Sequence, residues 1–95
     1  MSRCIVKAKD PKQEIVVGLD PMLHEWFWQV FTVNDDPGKF GEWIGGSDTF
    51  MPPSKSDLIE FMELNCYMSD PYTKAVTGMI MLDLDPGTVE VPNAG

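Results

Sequence analysis

Five carboxylates in the C-terminal half have types and spacing that could do chemistry: Asp57, Glu60 and Glu63 at helical spacing, and Asp83 and Asp85 on either side of Leu84. Such groups can hold a hard cation, share acid–base work, or present a row of negative charge to a basic surface. A calcium loop needs roughly five or more oxygen ligands at fixed spacing, with glycine at the bend. Asp83-Leu84-Asp85-Pro86-Gly87 breaks that register with Leu and Pro, and Asp35-Asp36 forms only a two-residue pair in a turn. Paired carboxylates also cleave glycosides, but a chain of 95 residues is short for a sugar cleft. His24 is the only histidine. Without a second His or an adjacent Cys it is a poor zinc ligand. Its neighbours Leu23 and Glu25 offer no nucleophile to activate, so it reads as a surface or capping residue. Cys4 and Cys66 lie far apart without C-x-x-C spacing and read as two buried thiols. The sequence has no phosphate-binding glycine fingerprint, P-loop or nucleophile elbow. The glycine-rich "GEWIGG" reads as a distorted strand. The expectation is a non-enzymatic chain with no cofactor and no metal, in which the carboxylates serve as charge.

The charge distribution favours that use. The chain holds 15 acidic and 7 basic residues, for a net charge of −8. Residues 1 to 55 carry eight acids and six bases, a net of −2, whereas residues 56 to 95 carry seven acids and one base, Lys74, a net of −6. Phosphate binding requires a cationic footprint, so direct binding to nucleic acid is disfavoured. A basic protein or nucleoprotein surface is the complementary partner. The plainer reading is that acidity keeps a small domain soluble.

Aromatic residues supply the second set of candidates. "EWFWQVF", residues 25 to 31, places four aromatic rings in seven positions. As a strand it is apolar on both faces, with Trp26, Trp28 and Val30 on one side and Phe27, Gln29 and Phe31 on the other. If helices cover the Phe face, Trp26 and Trp28 form an open contact surface, since Trp is enriched in binding hot spots. If helices cover the Trp face, the two Phe residues are the exposed candidates. Trp43 is a further possible anchor, and a homodimer through the open face would hide either set.

The elements that position these groups are marked by Pro, Gly and Asp. "RCIVK", "EIVVGL", "EWFWQVFTV" and "FGEWIGG" read as four strands separated by turn signals. Pro52-Pro53 ends the sheet. In "SKSDLIEFMELNCYM", Ser54 or Ser56 can cap a helix, Asp57 falls in its first turn, and Leu58, Phe61, Met62 and Cys66 form an apolar stripe. Asp70-Pro71 then opens a second helix, with Tyr72, Ala75, Val76, Met79 and Ile80 on one face. Gly78 and the β-branched residues leave "GMIMLDL" open to reading as a strand. Four of the seven methionines, Met62, Met68, Met79 and Met81, fall in this half and read as core filling. The expected fold is α+β: an antiparallel sheet of about four strands in the N-terminal half with two helices packed on one face. All 95 residues form one domain, with residues 88 to 95 as a tail.

The stretch "VVGLDPMLHEWFWQVF" resembles the start of small uncharacterised bacterial proteins with the pattern V-G-x-D-x-x-L-x-x-F-F-x-Q-V. Val17, Gly18, Asp20, Leu23, Phe27, Gln29 and Val30 match, and Trp26 stands at the first aromatic position. The resemblance implies a shared fold element and no particular chemistry. The overall profile is also similar to phage-borne inhibitors such as anti-CRISPR proteins, often single acidic domains without catalytic motifs.

These readings converge on a protein-binding inhibitor whose acidic helical half docks on a basic nucleic-acid-binding site, with Asp57, Glu60, Glu63, Asp83 and Asp85 standing in for phosphates and Trp26, Trp28 or Trp43 as anchors. The alternative is an adaptor or assembly subunit binding through its aromatic sheet face. A small enzyme comes third, and would require His24 beside a carboxylate in a pocket. No apolar run approaches the roughly 20 residues that cross a bilayer, and the N-terminus lacks the apolar stretch of a secretory signal. A cytoplasmic location is expected.

Overall fold

Alternation of apolar and polar residues builds the first half of the chain, and helical spacing the second. The computed structural model describes residues 2–20, 22–36, 41–48 and 50–84; Asp85 and the expected tail at 88–95 lie outside them. Four strands, β1 (Ser2–Lys7), β2 (Gln13–Asp20), β3 (Glu25–Thr32) and β4 (Trp43–Gly46), precede two helices, α1 (Lys55–Asn65) and α2 (Pro71–Met81). The strands pair antiparallel in the order β1-β2-β3-β4, an up-and-down meander. The expected α+β architecture is what the chain adopts. The stretch from Gly78 onward that could have been a strand is the end of α2.

Register assigns the faces. Cys4 lies opposite Val17 and Val6 opposite Ile15, while Val17 and Ile15 lie opposite Trp28 and Val30. Cys4, Val6, Ile15 and Val17 are buried with Leu58 and Met62 of α1, Cys66, and Val76 and Ile80 of α2. The helices therefore cover the Trp26, Trp28 and Val30 side. Trp28 stacks on Phe61 of α1, with ring centroids 4.0 Å apart and planes 15° apart. α1 crosses β3 and α2 crosses β1. Val16 is also fully buried although it points to the opposite face, between Ile5 and Gln29.

The helix stripes are nearly those expected. Leu58, Met62 and Cys66 are fully buried and Phe61 is half-buried. In α2 the buried positions are Thr73, Val76 and Ile80, whereas Ala75 is exposed. Both helices open on built caps. Ser54 Oγ accepts from Asp57 N–H at 3.2 Å, and Asp57 Oδ2 accepts from Ser54 N–H at 3.4 Å, a reciprocal capping box. Asp70 Oδ2 accepts from the Thr73 N–H at 3.1 Å and from its hydroxyl at 3.3 Å, with Pro71 in the first turn. Beyond Met81, Leu82 caps α2 and Asp83 follows with a left-handed φ of 59°. Asp83 N–H donates to Ile80 O and Leu84 N–H to Met79 O, a Schellman closure with aspartate in the place glycine usually takes.

A short clasp joins the two halves. Ala8 bridges to Cys66, Lys9 N–H donates to Asn65 O at 2.8 Å, and Tyr67 N–H donates to Lys7 O at 3.2 Å. It fixes where the cysteines lie. Cys66 sits beside Ala8, four positions along β1 from Cys4, or roughly 13 Å at the rise of a strand. Disulfide geometry needs Cα atoms within about 7 Å, and the two buried cysteines form no disulfide.

Candidate functional site

Two surfaces bring candidate residues together: the outer face of α1, and a cleft where β3 meets β4. Asp57, Glu60 and Glu63 are all exposed on α1, with Leu64 among them at 70% exposure. They do not play equal parts. Asp57 is occupied by the capping box. Glu60 and Glu63 have no side-chain partner among the described residues, so their charges face solvent. Lys55, the only basic residue of α1, donates to Asp83 Oδ2 at 2.8 Å. Asp83 is thus tied to α1 and to the end of α2 instead of standing free. Asp85 lies outside the described residues. Of the five carboxylates singled out in the sequence, the structure leaves Glu60 and Glu63 as the unengaged pair.

The tryptophans divide between the two faces of the sheet. Trp26 and Trp28 pack against the core beneath the helices, so they do not form an open sheet face, and the alternative arrangement holds. Phe27 and Phe31 lie on the uncovered side with Ile5 and Trp43, and Trp43 faces Phe31 across the β3–β4 pair. A register shift between Val30 and Phe31 leaves Ile44 as the extra residue of β4, between Trp43 and Gly45, a distortion within the segment where one was expected. Trp43 is 62% exposed, and its indole lies over Gly46, where a Cβ would meet the ring at 3.5 Å.

Ser47 continues the pairing beyond β4. Its N–H donates to Trp28 O at 2.9 Å and its hydroxyl accepts from Trp28 N–H at 3.1 Å. These bonds hold open a cleft of about 270 Å³ lined by Trp26, Trp28 and Trp43, with Asp20, Glu25 and Asp48 among its walls. No local pattern marks it, because its walls come from the β2–β3 turn, β3, β4 and the segment after β4. The clue that could have located it is the tryptophan inventory: all three in the chain line this one cleft.

His24 occupies the β2–β3 turn with φ of 53°, exposed and outside the cleft lining. Asp20 Oδ1 accepts from Met22 and Leu23 N–H in that turn. No group of three His, Cys, Asp or Glu side chains is arranged to hold a metal ion among the described residues. Burial pushes the Cys66 thiol up to about 11, against a smaller downward pull from Lys9. Burial and a hydrogen bond to Cys4 push the Tyr72 hydroxyl well above the usual phenol range. Both groups are neutral near pH 7, so Cys66 has the character of a packed thiol, not of an activated nucleophile. Among the described residues, no helix is long and apolar enough to cross a membrane. Comparison with protein-family models, curated proteins and solved structures finds no match to the chain.

Proposed function

We propose that the protein is a non-enzymatic binding inhibitor, of the kind carried by phage and mobile elements, that docks the outer face of α1 on a basic nucleic-acid-binding site of a target complex. One observation carries this reading: Glu60 and Glu63 project unpaired from a helix whose only cation is already held by Asp83. The exposed Leu64 beside them supplies apolar contact. Complementary charge of this kind accelerates association and selects the partner. It weakens once salt brings the screening length below roughly 10 Å. The similarity of the overall profile to phage-borne inhibitors supports the class of protein, and the acidic C-terminal half supports the class of target.

A second reading has its own support. Ile5, Phe27 and Trp43 share the sheet face that the helices leave uncovered, which suits an adaptor or a subunit that associates through that face, with itself or with another chain. One experiment separates the two. Tagged protein is used to capture partners from host lysate at low and high salt, alongside the double variant Glu60→Lys/Glu63→Lys. The inhibitor reading expects a basic nucleoprotein complex that washes off at high salt, with the double reversal weakening capture by at least about tenfold. Capture that ignores both salt and the reversal overturns it in favour of the sheet face.

A further inference from the structure

The cleft between β3 and β4 has a composition that selects its occupant. Its aromatic lining is Trp26, Phe27, Trp28 and Trp43, and among the described residues its charged lining is Asp20, Glu25 and Asp48. Among the described residues, no Lys or Arg lines it. An apolar cleft with a purely anionic rim is matched by a cation on an apolar stem. Among the described residues these carboxylates form no metal-holding group. We infer that this cleft binds an arginine side chain of a basic protein partner. The planar guanidinium stacks on an indole face and directs its N–H groups at carboxylates around its edge. A lysine ammonium, compact and strongly hydrated, uses such a plane less well.

The elements prepare the cleft for this. Gly46 lies against Trp28 O, where a Cβ would come within 3.1 Å, with the Trp43 indole beside it, and Ser47 is hydrogen-bonded to the Trp28 backbone. Asp48 Oδ1 accepts from Phe50 N–H at 2.8 Å and Asp20 Oδ1 caps its own turn, so both carboxylates are held in place by short-range bonds. Pro52, two residues before the cap of α1, closes one side. The inference rests on the proposed function only for the class of partner, a basic protein; the cleft is tested separately from α1.

The test is a titration of the purified protein at low salt with a short Gly/Ser peptide carrying three arginines, read by tryptophan emission and by the indole N–H resonances. The same peptide with citrulline, an uncharged isostere, and with lysine are the controls. The expected result is binding of the arginine peptide about fivefold or more tighter than of either control. Trp43→Ala, at an exposed position, and the paired variant Glu25→Gln/Asp48→Asn, which keeps the Asp48 acceptor, should each weaken it about fivefold while circular dichroism stays unchanged. Glu60→Lys/Glu63→Lys, which lowers attraction for every cationic peptide, should leave the preference for arginine over lysine within about twofold, so failure of the α1 reading and failure of the cleft are distinguishable. Citrulline binding as well as arginine would show an apolar groove and overturn the assignment. So would lysine matching arginine, or Trp43→Ala matching the parent.

Discussion

Trp28 and Trp43 show how one residue type is put to two uses in this chain. Trp28 is stacked on Phe61 at 4.0 Å inside the helix–sheet interface, whereas Trp43 lies exposed over a glycine. Truncation of Trp28 to Ala removes a large aromatic side chain from a packed interface and should cost about 3–5 kcal/mol. Trp43→Ala should cost under about 1 kcal/mol. Urea unfolding of the two variants checks this, and equal losses would contradict the face assignment. Period-2 alternation in "EWFWQVF" separated the Trp set from the Phe set, but could not say which set the helices would cover, because both faces are apolar. That choice depends on how the stripe of α1 meets β3, a contact between residues more than thirty positions apart, and local pattern is silent about it. Asp83 shows a similar limit. Its carboxylate was legible as charge, but its left-handed backbone and its tie to Lys55 follow from where α2 stops.

The elements themselves were the most legible level. Turn residues delimit the strands, and the Ser54–Asp57 and Asp70-Pro71 signatures mark the helix starts where the caps form. The ends were less so. Of the strand read from residues 40 to 46, β4 takes Trp43–Gly46; Gly41 and Glu42 are hydrogen-bonded to Thr32 outside it, and Phe40 lies outside the described residues. The exposed Ala75 and buried Thr73 rotate the α2 stripe slightly from the expected one, because Thr73 turns inward with its hydroxyl satisfied by Asp70. That cap is a point of leverage. Asp70→Ala removes the acceptor for the first-turn N–H and orphans the buried Thr73 hydroxyl, and should destabilise the fold by about 1–2 kcal/mol. Asp70→Asn should recover most of the loss. Thermal unfolding of the pair is the measurement, and a neutral Asp70→Ala would mean that tertiary packing alone holds the start of α2.

At the scale of the whole molecule, the buried hydroxyl and thiol set an alkaline limit. The Cys66 thiol ordinarily titrates near 9 and is pushed up to about 11 by burial, so the folded chain keeps a proton that the unfolded chain releases first. The stability this contributes is fully present below about pH 9 and is lost as pH rises toward about 11, with Tyr72 extending the loss upward. Denaturant midpoints should fall across that window, and Cys66→Ala should flatten the slope even though the cavity lowers the midpoint overall. A slope unchanged by Cys66→Ala would assign the alkaline loss to other groups. The acidic balance read from composition is likewise a property of the whole chain, and composition alone could not show that Lys55 is consumed internally.

The order of the elements along the chain has a consequence for how the protein is made. Strands come first and helices last, so the meander leaves the ribosome before anything exists to cover its core side. Until α1 is synthesised, Trp28 has no Phe61 to stack on, and until α2 follows, Cys4 and Val6 lie bare beneath the place it will occupy. The nascent sheet is then a sticky half-product, the sort of surface that holding chaperones recognise. The clasp between residues 7–9 and 65–67 ties the end of β1 to the segment that follows α1, so the contact that joins the two halves can form only after α1 has been made.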